Sequence, residues 1–99
     1  MIDTHCHIDK AEFDADRDAV LERARACGVT DIVVPALGPA GWESLLAWRR
    51  PRVHVGLGIH PQLLPELDPG GDDRRLADLE ALLSRGVAVG VGECGLDGP

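Results

Sequence analysis

Residues 53–93 read VHVGLGIHPQLLPELDPGGDDRRLADLEALLSRGVAVGVGE. The segment opens on a short apolar, β-branched run, VHVGLGI, and closes on another, VAVGVGE. Both have the length and composition of a buried strand. Between them, HPQLLPELDPGGDD is punctuated by Pro, Gly and Asp and reads as loop. DDRRLADLEALLSRG then places Leu76, Leu79, Leu82 and Leu83 at helical spacing, with Gly86 to stop the helix. Two strands joined through a helix can pair in parallel, whereas a tight turn would force them antiparallel. Such a crossover is right-handed and lays its helix on one face of the sheet.

The same unit recurs toward the N-terminus. Ile2 to His5 is a first strand-like run, followed by FDADRDAVLERARACG (13–28) with Phe13, Val20, Leu21 and Ala24 on one helical face. Acidic residues crowd the start of that helix, Arg23 and Arg25 lie near its end, and Gly28 stops it. TDIVVPA (30–36) is the second strand, and PAGWESLLAWRRP (39–51) gathers Trp42, Leu45 and Leu46 on a short helix closed by Pro51. Trp42 and Trp48 read as packing or surface groups. The order is therefore β-α-β-α-β-α-β, with strands beginning near residues 2, 30, 53 and 87. Repeated to eight units, this pattern builds a (β/α)₈ barrel of about 250 residues. The expected fold is α/β, with four parallel strands and intervening helices forming the N-terminal half of a TIM barrel. Residues 1–99 are expected to be one partial domain of that barrel, truncated after the fourth strand. A flavodoxin-like sheet is the rival, but it wants a fifth strand and a closing helix.

The composition sets limits on partners. Ten Lys and Arg against seventeen Asp and Glu give a net charge of −7, which argues against a protein that grips duplex DNA through its phosphates. Bound metal ions can supply the missing positive charge, so a metal-dependent enzyme acting on phosphates stays open. Three cysteines, Cys6, Cys27 and Cys94, make no disulfide framework and suit a reducing, cytoplasmic setting. No apolar run approaches a membrane span, and the basic start of a signal peptide is missing.

In parallel α/β folds the functional site lies at the carboxyl ends of the strands. Strand one ends in His5-Cys6-His7, strand three in Gly58-Ile59-His60-Pro61, and strand four in Gly92-Glu93, with Asp97 shortly beyond. Strand two ends in Pro35-Ala36 and offers no ligand. On a continuing strand, Asp3, His5 and His7 project to one side while Thr4, Cys6 and Ile8 pack on the other. Imidazole and carboxylate together suit zinc, manganese or cobalt, and magnesium with more oxygen ligands. His5 and His7 are candidate ligands of one ion, and Glu93, with two oxygens, of a second ion as well. Gly90, Gly92 and Gly95 around Glu93 are expected to give room for close approach. Bland readings stand beside each of these. An H-x-H pair can be a polar strand end, His60 can cap its own loop, and Glu93 can be a surface carboxylate at a turn. His54, inside strand three, reads as structural. Cys6 should face away from both histidines, which counts against a zinc thiolate.

MIDTHCHID, GLGIHP and GECGLD, in this order and spacing, resemble the opening of the TatD family of metal-dependent hydrolases. The resemblance covers essentially the whole chain, which corresponds to somewhat under half of a family member. It implies a two-metal hydrolase, typically a 3′→5′ exodeoxyribonuclease, acting on DNA or another phosphodiester. It further implies that the histidines matching His5 and His7 bind the first of two divalent ions. By the same likeness Glu93 bridges both ions as the catalytic carboxylate, and His60 lines the substrate pocket. Family members draw two more histidines and an aspartate from later strands, and carry an aromatic residue where this chain has Gly98. The 99-residue chain is accordingly expected to be catalytically incomplete alone, pairing with a C-terminal half or with itself. Two alternatives remain at this point. One is an amidohydrolase-like enzyme for small molecules, which often uses a modified lysine where Glu93 stands. The other is a non-enzymatic truncated product, or a half-barrel completed by another chain.

Overall fold

The computed structural model describes residues 1–48 and 50–97. Arg49 of the second helical stretch, Gly98 and Pro99 lie outside them. Four strands, β1 (Ile2–Asp3), β2 (Asp31–Pro35), β3 (Val53–Leu57) and β4 (Gly90–Val91), form one sheet in the order β1-β2-β3-β4. Every neighbouring pair is parallel. Three helices, α1 (Arg17–Ala26), α2 (Trp42–Ala47) and α3 (Asp72–Leu83), make the crossovers. Sequential parallel strands with a helix in each connection are the N-terminal half of a (β/α)₈ barrel.

The core lies between sheet and helices. Alternate residues Ile32 and Val34 of β2, and Val55 and Leu57 of β3, are buried. They pack with Leu21 of α1, Trp42, Leu45 and Leu46 of α2, and Leu82 of α3 in a single cluster. Gly28 and Gly86, at φ +99° and +72°, end α1 and α3 in the left-handed conformation that glycine adopts without strain. The prolines of the long loop start 3₁₀ turns, Pro61–Glu66 and Pro69–Gly71, so that stretch is more regular than its composition suggests.

Three expectations need correction. The first helix begins at Arg17, because residues 11–13 form a separate 3₁₀ turn and Phe13 packs from there. Leu76 is 61% exposed, while Leu79 and Leu83 are half-buried and Leu82 is buried. The inward stripe of α3 is thus narrower than the leucine pattern. The outer strands are short: β1 stops at Asp3, and regular pairing in β4 covers Gly90–Val91 alone. An edge strand has a hydrogen-bonding neighbour on one side only, and ladder bonds beyond these cores are isolated, such as Cys6 N–H to Val33 O and Val89 N–H to Val55 O.

Register sets Val91 beside Leu57, yet Leu57 is fully buried and Val91 is 60% exposed. Among the described residues no element lies over it. Ile2 and Val89 are bare to a similar degree. Unpaired parallel edges flanked by exposed β-branched residues favour association. The chain alone should therefore sediment as concentration-dependent oligomers. A monomer with a sharp unfolding midpoint independent of concentration would show the four-stranded sheet to be self-sufficient.

Candidate metal centre

His5 and His7 lie just past β1 rather than on it, so strand alternation is not what aims them. Cys6 N–H donates to Val33 O at 3.0 Å, and Ile8 is 2% exposed in the core. These two anchors leave the flanking imidazoles free to turn toward the barrel mouth. Asp3 does not join them; its carboxylate accepts the His5 backbone N–H at 3.1 Å. Arg17, at the first turn of α1, donates to Ile8 O at 2.7 Å, Lys10 O at 2.8 Å and Asp14 Oδ1 at 2.7 Å. One guanidinium thereby staples the loop that follows the histidines.

Glu93 is seated by backbone contacts from both central strands. Gly92 N–H donates to Leu57 O at 2.9 Å, and Glu93 N–H to Ala36 O at 3.3 Å. The close approach occurs at Gly58, where an added Cβ would clash with the Glu93 carbonyl oxygen. Gly90, Gly92 and Gly95, expected to provide that room, have nothing within 4 Å of an added Cβ. His60 N–H donates to Leu37 O at 2.7 Å, fixing the end of the third strand against the second. Its Nδ1 accepts the Gln62 backbone N–H at 3.1 Å. A neutral ring so bound carries its proton on Nε2 and presents a donor rather than a lone pair.

The three segments converge on the Glu93 carboxylate. His5 Nε2 lies 3.4 Å from Oε1, His7 Nε2 3.2 Å from Oε2, and His60 Nε2 3.5 Å from Oε1. The rings of His5 and His7 meet edge to face, with centroids 5.0 Å apart. One ligand atom from each of His5, His7 and Glu93 fits within 4.8 Å of the others. Glu93 Oε2 is buried and makes no hydrogen bond, because His7 Nε2 at 3.2 Å is not aligned as a donor. A buried carboxylate oxygen without a donor is costly, and a divalent cation among two imidazole nitrogens and that oxygen relieves it. The donor set therefore fits such an ion. The site opens on a concave cleft of about 470 Å³ whose walls include His5, Val33, Gly56, His60 and Glu93.

Other candidates fall outside the cluster. Burial, and then the Asp3 charge, push the Cys6 thiol above its ordinary value, so it stays protonated and packs on the core. Cys94 and Asp97 are exposed. His54 Nε2 lies 3.0 Å from Asp31 Oδ1 at the opposite end of the strands. That bond, with one from Thr30, holds the Asp31 carboxyl below its usual range. Sequence reading did not reach the roles of Gly58, Arg17 and Trp42. Trp42 is 2% exposed and donates from Nε1 to Gly58 O at 2.9 Å. Gly58 next to His60 was visible as a motif, but its contact with Glu93 joins residues distant in the chain.

Comparison with known proteins matches residues 2–99 to the family described as TatD related DNase. The chain is 39% identical to the uncharacterized metal-dependent hydrolase YjjV of Escherichia coli K12, over 98% of this chain and 38% of that protein. It is 35% identical to the 3′-5′ ssDNA/RNA exonuclease TatD of Cronobacter sakazakii, over 98% of this chain and 36% of the relative. The crystal structure of Escherichia coli YjjV superposes with a TM-score of 0.83 at 38% identity, covering 98% of this chain and 38% of that one. The chain thus spans well under half the length of the relatives it matches. The chain belongs to the TatD related DNase family.

Proposed function

We propose that residues 1–99 are the N-terminal part of a metal-dependent phosphodiesterase domain that removes nucleotides from the 3′ end of single-stranded DNA. The observation that supports this most is the convergence of His5, His7 and the orphaned Glu93 oxygen at one point. His5 and His7 would hold one divalent ion, and Glu93 would share its two oxygens between that ion and a second. Ions held there supply Lewis acidity and a water of lowered pKa. The protein's own groups do the rest. Glu93 sets where the charge sits, while the Nε2–H of His60 donates to a non-bridging oxygen of the substrate. Bound ions would supply positive charge at the phosphate that this chain, at −7, does not. The remaining ligands would come from a C-terminal half-barrel, in the same polypeptide or supplied by another chain. Three free cysteines support a cytoplasmic location, and none of the described helices is long and apolar enough to cross a membrane.

A chimera in which this chain replaces the matching N-terminal part of YjjV tests the reading. It should release nucleotides from the 3′ end of single-stranded DNA and lose that activity to a chelator. Within the chimera, His60→Ala should raise KM about tenfold or more, the loss expected for a donor to a charged oxygen. His60→Gln, which keeps an N–H, should recover part of it. Equal KM in all three proteins would remove His60 from substrate contact.

A further inference from the structure

We infer that Trp42 is a positioning residue of the metal centre, holding Glu93 in place from the far side of the sheet. The inference rests on the metal reading above and adds a residue that touches neither ligand nor ion. Trp42 opens α2 and is 2% exposed. Its indole N–H donates to the Gly58 carbonyl at 2.9 Å, a bond that bridges the outer helix layer and the end of the third strand. Gly58 in turn is the surface against which the Gly92–Glu93 backbone lies, with no space for even a methyl group. On either side of that contact, Gly92 N–H reaches Leu57 O and His60 N–H reaches Leu37 O. The Gly58 peptide is therefore the common seat of Glu93 and His60, and Trp42 fixes which way its carbonyl points.

Packing alone does not require the indole nitrogen. Leu45 and Leu46, both 5% exposed, already anchor α2 on the sheet, and a phenyl ring at position 42 would fill most of the same volume. What the nitrogen adds is a partner for a buried carbonyl. Without it the peptide is free to rotate in search of another donor. A small rotation at Gly58 moves the Glu93 backbone directly, because the two are in contact. Partners bonded directly to a ligand are worth about 10–100-fold in metal affinity, and Trp42, one peptide further out, should sit at the lower end of that range.

The experiment replaces Trp42 in the 99-residue chain with β-(3-benzothienyl)alanine, which keeps the bicyclic shape and lacks the N–H, alongside Trp42→Phe. Cobalt(II) is the probe, read by its visible absorption, and the amide resonances of Glu93 and His60 are followed without metal. Positioning predicts that the isostere keeps the wild-type melting temperature within a few degrees. Its cobalt affinity should fall about tenfold or more, the absorption envelope should change, and the Glu93 and His60 amides should shift. Cobalt binding and amide positions equal to wild type in the isostere would overturn the inference and leave Trp42 as packing. If Trp42→Phe unfolds while the isostere does not, the isostere alone decides. If the wild-type chain binds no cobalt, the metal reading fails, and the metal-free amide shifts still decide whether Trp42 sets the place of Glu93.

Discussion

Replacing His5 and His7 together with alanine should abolish measurable zinc or manganese binding by the chain. Titration calorimetry should register weak binding by the wild-type protein and only dilution heat for the double variant. The geometry carries the direction. Two of the three clustered donors are removed, and a single carboxylate does not hold a borderline divalent ion against water. Weak wild-type binding is expected because the outer support is uneven. His60 has its Nδ1 engaged by Gln62, and the Glu93 backbone is held at two points. By contrast, His5 is exposed and has no fixed tautomer partner among the described hydrogen bonds. Metal-binding histidines that lack a partner on the second ring nitrogen are poorly oriented, at a cost of about 10–100-fold in affinity. Folding must be unchanged for the comparison to count. It should be, since neither imidazole is buried in the core. Equal heats from wild type and double variant would place the ion elsewhere and dissolve the candidate centre.

The parts of this site that were legible in sequence are those set by strand ends. Parallel βαβ connectivity forces the carboxyl ends of the strands to one side, so His5, His7, His60 and Glu93 could be gathered without coordinates. Burial of Ile32, Val34, Val55 and Leu57 likewise follows from β-branched runs between helical patterns. What stayed hidden depends on contacts between segments far apart in the chain. Gly58 is one glycine among twelve, and nothing in its neighbourhood marks it as the one pressed against Glu93. Gly90, Gly92 and Gly95 were the natural guess because they are local to Glu93, but local glycines free only their own backbone. Trp42 read as a packing or surface group and is buried in the core; its hydrogen bond to Gly58, sixteen residues away, has no periodic signature. Asp3 was grouped with the histidines by an alternation that assumes an unbroken strand. The strand ends at Asp3, and the chain bends before His5.

Glu93→Ala should eliminate metal-dependent cleavage of single-stranded DNA by the completed barrel, while the 99-residue chain should show none to begin with. The reason is the arrangement of ligands. Glu93 is the one carboxylate in the cluster, and each of its oxygens faces a different set of imidazoles: Oε1 faces His5 and His60, and Oε2 faces His7. In the proposed site one carboxylate oxygen would join His5 and His7 on the first ion and leave the other oxygen for a second ion about 3.5–4 Å away, a spacing typical of two-metal sites. On that proposal alanine would remove the shared ligand and leave His5 and His7 without their carboxylate, so a loss of metal-dependent cleavage rather than a graded decline is expected. The drop should exceed the effect of His60→Ala by at least about a hundredfold, since losing a charge-assisted hydrogen bond costs only about 1.5–3 kcal/mol. Gly58→Ala should fall between the two, because its Cβ pushes the Glu93 backbone away while sparing every ligand. The chimera with YjjV, assayed on 3′-labelled single-stranded DNA with and without chelator, gives all four values in one series. Chelator-sensitive cleavage by the purified 99-residue chain, absent in Glu93→Ala, would show that three protein ligands suffice and that no second half is needed. A folded, metal-loaded chimera inert toward every nucleic acid would sink the nuclease reading and leave a hydrolase of small molecules in its place.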